Sequence, residues 1–395
     1  MASESRYAIA TLSLGSCVHH RLEDKLVAAS QAGFAAIELF TPDWEKYLEI
    51  YLVEHGDLAN TASNRAQAAT ALAALLTKLK LRVNCLQPIR DVDGVRDPAE
   101  RRAKFQQVKD YFPICNILNI DLILCCSTDN ANAIGDVDRI SEDLVELADM
   151  AKEWHRQNGG KLIRIGYEGL SWGAHVNTWK QAWACVSRRP RSNLGLIVDG
   201  FNSLAREYAD PYTSSGLQRS ASSSSVFLKR HLAELRTTVP GNKIFLFQMA
   251  DAGLPPAESP LSVPPPVESG IPRLQQWSRN CRLFPLETSR GAYLPVTQYA
   301  RTILATGYTG DLSLEVFNAS LHQPDADVPR QHAARGFESL RRLSAAINAS
   351  EVTVESSCST PEPEKSEFVS SKLQIAFPPP LPSPRLQRVP LAPLS

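Results

Sequence analysis

Alternation of extended apolar runs with longer segments of helical period constrains the fold more than any other feature of this chain. Repeated strand–helix units build a parallel sheet, and eight of them over about 340 residues predict a (β/α)₈ TIM barrel with long loop insertions. A doubly wound open sheet is the alternative, which the lack of a GxGxxG turn after the first strand weakens. The predicted strands are Ala8–Leu14, Ala36–Phe40, Arg82–Gln87, Leu122–Cys126, Ile163–Glu168, Gly195–Asp199, Lys243–Ala250 and Leu312–Phe317. The predicted helices are Glu23–Ala32, Ala66–Lys80, Ala99–Leu118, Ser141–Gln157, Thr178–Val186, Val226–Arg236, Val296–Ala305 and Arg330–Ile347.

The pattern predicts one catalytic barrel over residues 1–349. A serine-rich segment at Thr213–Ser225 and a proline run within Gly253–Gly270 are predicted to be exposed loops. Residues 350–395 are rich in Ser, Glu and Pro, and such a composition buries too little apolar area to offset the entropy of ordering. We therefore expect a disordered C-terminal tail.

Charge and hydropathy indicate which kinds of partner this protein binds. The 42 basic and 42 acidic residues cancel, so no overall field would attract nucleic acid or an anionic membrane. No apolar stretch approaches the roughly 18 residues of a membrane span, and the N-terminus lacks a signal pattern. We expect a cytoplasmic protein with a small-molecule partner and no nucleic-acid or membrane partner. The eight cysteines lack metal-binding spacing and are expected to be reduced thiols, mostly buried.

Oxygen-bearing side chains end four successive predicted strands: Glu168, Asp199, Gln248 and Glu315. In a parallel barrel these ends meet on one face. Three carboxylates that close together would repel one another unless a cation lay between them, and an all-oxygen set favours Mg²⁺ or Mn²⁺ over zinc. Each acid could instead be a helix cap, a turn residue or a salt-bridge partner, and an amide within an apolar strand needs some partner. The pattern alone leaves both interpretations open.

Longer motifs in the same regions resemble the fungal 3-dehydroshikimate dehydratases of quinate catabolism, within the xylose-isomerase-like barrel superfamily. The similarity runs from about Ala8 to Leu343. The motifs that carry it are SLG at Ser13–Gly15, IELF at Ile37–Phe40, LQP at Leu86–Pro88, YEGLSW at Tyr167–Trp172, VDGFN at Val198–Asn202, WSRNCRLF at Trp277–Phe284, RGAYLPV at Arg290–Val296 and LEVFN at Leu314–Asn318.

This resemblance implies a divalent-metal lyase that converts 3-dehydroshikimate to protocatechuate and water. It implies Glu168, Asp199, Gln248 and Glu315 as the metal ligands, the four residues that the strand pattern also selects. It further suggests substrate contacts from Glu38, Gln87 and Arg90, and makes Arg290 a candidate partner for the substrate carboxylate.

The general base is not assigned by the resemblance. Bacterial relatives typically have histidine three residues after the aspartate ligand, whereas this chain has Asn202, which cannot accept a proton. His175, in the loop after Glu168, is the first substitute, and His19, His20 and Glu38 are further candidates. Two more departures are Gly200 after the aspartate, and Ala319, where the family often has arginine.

Three other functions are weighed. A sugar or polyol isomerase or epimerase could use the same ligands, although a neutral sugar gives no reason for arginines such as Arg90 and Arg290. A non-catalytic metabolite-binding descendant is disfavoured by the intact ligand set. An abasic-site endonuclease would have a histidine-rich zinc cluster and a basic stripe, which this sequence lacks.

Overall fold

Eight parallel strands close into a barrel in the computed structural model, which describes residues 6–349. The order around the barrel is β1-β10-β7-β6-β5-β4-β3-β2, and the closure excludes an open doubly wound sheet. The barrel strands are β1 (Tyr7–Ala10), β2 (Ala36–Phe40), β3 (Arg82–Ile89), β4 (Leu122–Cys126), β5 (Arg164–Glu168), β6 (Leu194–Asp199), β7 (Ile244–Met249) and β10 (Leu312–Leu314). The predicted TIM barrel is confirmed.

The described helices are α1 (Leu22–Ala32), α2 (Thr41–Glu54), α3 (Ala62–Leu79), α4 (Pro98–Ile117), α5 (Val137–Asn158), α6 (Trp179–Arg188), α7 (Gly200–Glu207), α8 (Ala221–Thr238), α9 (Arg273–Cys281), α10 (Val296–Leu304) and α11 (Val328–Ala349). All eight predicted helices are present. The sequence interpretation lacked α2, α7 and α9.

Local sequence explains where the elements lie. Strand β4 is buried at every position, as expected where helices cover a parallel sheet and side chains fill its interior. The side chains of Asp97, Asp136 and Thr178 accept hydrogen bonds from the first turns of α4, α5 and α6, and this capping fixes where those helices begin.

Two predicted segments differ from the structure, and a third agrees with it. Strand β1 ends at Ala10, and Thr11–Leu14 forms a 3₁₀ turn. The serine-rich segment is only partly a loop, since α8 begins at Ala221 with the Ser220 hydroxyl as its cap. The proline run is a loop, as predicted, with two short 3₁₀ turns.

The segment between β7 and α10 adds a small substructure above the barrel. Strands β8 (Asp251–Ala252) and β9 (Arg282–Leu283) pair antiparallel, and α9 lies between them in sequence. The backbone amide of Arg282 also donates to the carbonyl of Phe317, after β10. This segment, residues 250–295, is therefore anchored at two points beside the ends of the barrel strands.

The predicted tail, residues 350–395, lies outside the described residues, so its disorder and the domain division remain predictions. None of the described helices is long and apolar enough to cross a membrane. The seven cysteines within residues 6–349 are free thiols, and all except Cys17 are buried; Cys358 lies outside this range.

Candidate active site

The three predicted acidic ligands converge at the carboxyl ends of the strands. Glu168 and Asp199 are the last residues of β5 and β6, and Glu315 directly follows β10. One carboxylate oxygen from each of the three lies within 4.8 Å of the others, and all three side chains are buried. The backbone geometry of parallel strands thus brings together acids that are far apart in sequence.

Arg282 lies inside this acidic cluster, with its side chain only 1% exposed. Its Nη1 donates to Asp199 Oδ2 at 2.8 Å and to Glu315 Oε2 at 3.0 Å. Its Nε donates to Ser278 Oγ at 3.0 Å, and the guanidinium lies 4.2 Å from the ring centroid of Phe201. The cluster therefore contains a fixed positive charge among its three carboxylates.

Amide side chains also donate hydrogen bonds to the three carboxylates. Asn202 Nδ2 donates to both Glu168 Oε1 and Asp199 Oδ2 at 2.8 Å, while its Oδ1 accepts from the backbone amide of Ser171. Gln87 Nε2 donates to Glu315 Oε1 at 3.0 Å. Asn202 is thus placed to orient two acids, and every polar atom of its amide is engaged.

Gln248 differs from the other amides. Its nitrogen donates to Glu38 Oε2 at 2.6 Å, but its oxygen is buried and has no hydrogen-bond donor among the described residues. An unpaired buried acceptor is costly, since the carbonyl loses its hydration without compensation. The Gln248 nitrogen also lies 3.4 Å from Glu315 Oε1, so this side chain borders the acidic cluster and carries an unpaired oxygen available as a ligand.

Burial raises the pKa of all three clustered acids. For Glu168, the carboxylates of Glu315 and Asp199 add to the effect of burial, and the pKa rises well above the usual range. For Asp199 and Glu315, the Arg282 guanidinium opposes the effect of burial, but the pKa of each is still raised. The cluster is short of positive charge, which is the condition that a bound cation relieves.

Glu38 lies beside this set, within the barrel. Its carboxylate accepts hydrogen bonds from the amide nitrogens of Gln87 at 3.2 Å and Gln248 at 2.6 Å, and from the Ser313 hydroxyl. Burial, and then the charge of Glu315, raises the pKa of Glu38 to about 8.

Two guanidinium groups lie near the cluster without an acidic partner. Within residues 6–349, neither Arg90 nor Arg279 forms a side-chain hydrogen bond or ion pair, although Arg279 lies 4.7 Å from the Phe317 ring centroid. Burial, together with nearby Arg90 and Arg282, lowers the pKa of Arg279. The charge of Glu315 acts on Arg279, but neither guanidinium is in an ion pair with a described residue, and two adjacent cations of this kind form a favourable position for an anion.

The remaining predicted residues are not brought into the cluster by any described contact. His175 packs against Gly135, and its Nε2 is buried without a partner. His20 contacts the carbonyl of Asp325, and His19 is exposed. The Arg290 side chain is 55% exposed and lies 3.6 Å from Glu287 in a surface turn. The structure therefore does not bring this candidate partner of the substrate carboxylate to the acidic cluster.

Sequence reasoning missed Arg279 and Arg282. Both lie in the WSRNCRLF motif, which was used only as evidence of resemblance. Charged residues at the end of a short segment normally face solvent, and only the pairing of β8 with β9 directs Arg282 inward. The one available signal was an arginine-bearing motif that followed a predicted loop insertion.

The residues present fit a hard divalent cation. The three carboxylates and the unpaired Gln248 oxygen are all oxygen donors, and within residues 6–349 the group of candidate ligands includes no histidine or cysteine. Cys126 Sγ lies beside the group and donates to Glu168 Oε2 at 3.4 Å. Oxygen ligands of this kind suit Mg²⁺ or Mn²⁺. The site can therefore hold a metal, while the ion itself is not identified by the geometry.

The closed barrel and the acidic site at its strand ends define a class of (β/α)₈ protein with a metal-competent centre. The chain belongs to the xylose isomerase-like TIM barrel family, whose sequence model matches residues 26–343.

Among curated relatives, a 3-dehydroshikimate dehydratase of Neurospora crassa is 34% identical over 86% of this chain and 93% of its own length. A 3-dehydroshikimate dehydratase of Pseudomonas aeruginosa is 33% identical over 85% of this chain, which spans 41% of that longer protein. Among solved structures, a xylose isomerase-like TIM barrel/4-hydroxyphenylpyruvate dioxygenase fusion protein superposes with a TM-score of 0.63 at 29% identity. That match covers 89% of this chain and 44% of the fusion protein.

Proposed function

We propose that this protein is a metal-dependent dehydratase that converts 3-dehydroshikimate to protocatechuate and water. The observation that carries the proposal is the convergence of three buried carboxylates, bordered by the Gln248 side chain with its unpaired oxygen. The similarity to the Neurospora dehydratase along nearly its whole length supports the same substrate.

In this proposal Glu168, Asp199, Gln248 and Glu315 hold Mg²⁺ or Mn²⁺. The cation supplies Lewis-acid stabilisation of the negative charge that develops on substrate oxygens, an effect worth several kcal/mol. Asn202 and Gln87 hold the acids in place through the hydrogen bonds described above. These contacts fix the ligand positions before substrate arrives, which lowers the cost of reorganisation.

Arg90 and Arg279 bind the ring carboxylate of the substrate. Each guanidinium is a planar donor suited to a carboxylate, and a bound carboxylate would form the ion pairs that neither makes with a side chain of residues 6–349. A neutral keto-sugar offers no such group. The pair therefore favours an acidic substrate over an isomerase or epimerase substrate on the same barrel.

Proton removal next to the ketone requires a basic side chain, and the geometry favours Glu38 over His175. Glu38 accepts hydrogen bonds from Gln87 and Gln248, whereas His175 packs against Gly135 and makes no hydrogen bond to any of the four candidate ligands. Asn202 is a positioning residue in this scheme, since its amide has no proton-accepting nitrogen. The β hydroxyl then leaves and, with one proton, forms water. Transfer of a second ring proton to the ketone oxygen makes the ring aromatic, which drives the reaction forward.

The test is direct conversion of 3-dehydroshikimate by purified protein, followed by ultraviolet absorbance and chromatography of the product. Metal-free protein prepared with EDTA should be inactive, and added Mn²⁺ or Mg²⁺ should restore the appearance of protocatechuate. A Gln248→Met variant tests the fourth ligand, since it keeps side-chain length and removes the candidate ligand oxygen. Failure to form protocatechuate with either metal would contradict the proposal.

A further inference from the structure

Arg282 lies within the acidic cluster but has no role in the proposed dehydratase reaction. The carboxylates of Glu168, Asp199 and Glu315 carry three negative charges when ionised, and the Arg282 guanidinium donates to two of them. The net charge of this four-residue set is therefore two negative charges when the acids are ionised. That charge is balanced by one divalent cation and not by a trivalent one.

The surroundings of Arg282 fix its position. Ser278 accepts from Nε, the backbone oxygen of Glu315 accepts from Nη1, and the rings of Phe201 and Phe317 lie 4.2 and 5.3 Å from the guanidinium carbon. The backbone N–H of Arg282 donates to the carbonyl of Phe317, and the backbone carbonyl of Arg282 accepts from the side-chain amide of Asn318. A side chain held by this many contacts is part of the site and not a mobile surface group.

We infer that Arg282 is a resident counter-ion that stabilises the metal-free ligand set and thereby weakens metal binding. This inference rests on the metal site of the proposed function. Ligand acids without a nearby cation would be buried with uncompensated charge, a strongly destabilising condition. Because Arg282 stabilises the metal-free form more than the metal-bound form, linkage requires that its charge lower the affinity for a cation.

The test compares wild type with Arg282→Met, which keeps an unbranched apolar stem between the two rings but removes the charge. Mn²⁺ affinity is measured by calorimetry, and thermal unfolding is followed in EDTA and in saturating Mn²⁺. We expect Arg282→Met to bind Mn²⁺ at least about 10-fold more tightly and to lose at least about 5 °C in Tm without metal. Saturating Mn²⁺ should recover most of that loss.

Two further variants separate charge from packing. Arg282→Lys retains the charge and should keep Mn²⁺ affinity within about 3-fold of wild type. The control is Arg101→Met, because Arg101 also pairs with two acids, Asp143 and Glu146, and lies over an aromatic ring, Phe105. Arg101→Met should lower Tm equally with and without Mn²⁺ and leave Mn²⁺ affinity unchanged.

Each outcome decides the inference. Mn²⁺ binding by wild type with equal or weaker binding by Arg282→Met overturns the role of Arg282 and leaves the metal site standing. Absence of Mn²⁺ binding in both proteins overturns the inference and the metal site together. If Arg282→Met is recovered folded only when Mn²⁺ is present, the inference is supported, and Arg282→Gln provides a second uncharged variant for the affinity measurement.

Discussion

Asn202 donates a 2.8 Å hydrogen bond to the carboxylate of Glu168. The same nitrogen lies 2.8 Å from Asp199 Oδ2, so one amide group connects the ends of two neighbouring strands. The position where bacterial relatives typically carry histidine is therefore occupied here by a donor that holds two candidate ligands. The observed role of Asn202 in this structure is therefore to connect two candidate ligands, and proton transfer falls to another group in the proposed reaction.

Replacement of Asn202 by alanine should weaken Mn²⁺ binding by about 10- to 100-fold, since contacts that orient metal ligands typically contribute that much. The measurement is calorimetric titration of metal-free protein. Asn193→Ala is the control: Asn193 is a buried amide that donates to the carbonyls of Ala148 and Ile163 away from the cluster. It should lower stability without changing the affinity for Mn²⁺. Unchanged affinity in Asn202→Ala would show that the two hydrogen bonds do not position the ligands.

Glu38→Gln should reduce kcat by at least about 100-fold, because it removes the proton acceptor that the geometry favours while conserving side-chain shape. Circular dichroism and Mn²⁺ titration should show that the variant is folded and binds metal. His175→Gln is compared under the same conditions and should have a much smaller effect. The reverse result, with His175→Gln inactive and Glu38→Gln active, would assign proton transfer to the loop histidine.

Arg279→Met should raise KM for 3-dehydroshikimate by about 10- to 100-fold, since a hydrogen bond to a charged group contributes about 1.5–3 kcal/mol. Metal affinity should change little. Arg290→Met tests whether Arg290 contacts the substrate carboxylate, as the resemblance suggests. It should leave KM near the wild-type value, because Arg290 lies in an exposed turn beside Glu287. A large KM effect in Arg290→Met alone would instead place the carboxylate at that turn.

His332 gives a prediction for stability against pH. Burial, and then the nearby Arg335, lowers its pKa from 6.5 to about 4. Between these pH values the unfolded chain binds the proton and the folded chain does not. The contribution of neutral His332 to the free energy of unfolding is therefore complete above pH 6.5 and is lost as pH falls through 4.

Between pH 7.5 and 5, the free energy of unfolding measured in urea should therefore fall by about 2 kcal/mol more for wild type than for His332→Gln. The comparison uses the change with pH in each protein, because the variant also alters hydrogen bonds to Ser320 and Val328. Equal pH dependence in the two proteins would contradict the lowered pKa.

The barrel was predictable because its signals are local. Each predicted strand overlaps an observed one, and the four predicted ligands lie at or next to strand ends because strand direction alone brings them to one face. Helix α2 was missed because it begins at Thr41, directly after β2, with no intervening loop signal. Helix α7 was missed because it is short and begins at Gly200, a residue more typical of a turn.

The cationic part of the site was not predictable in the same way. Arg282 and Arg279 reach the cluster only through the pairing of β8 with β9 and the packing of α9, which are contacts between distant parts of the chain. The unpaired oxygen of Gln248 likewise depends on which partner each amide group finds. Periodicity predicts which residues are buried, but it does not predict which charges meet.

The acids of the site come from the barrel itself, whereas Arg279 and Arg282 come from the single segment 250–295 inserted after β7. The acids of the candidate metal site and the two arginines beside them are thereby supplied by separable stretches of the chain. Changes confined to residues 250–295 would alter the positive charge presented next to the acids and leave the eight barrel strands unchanged.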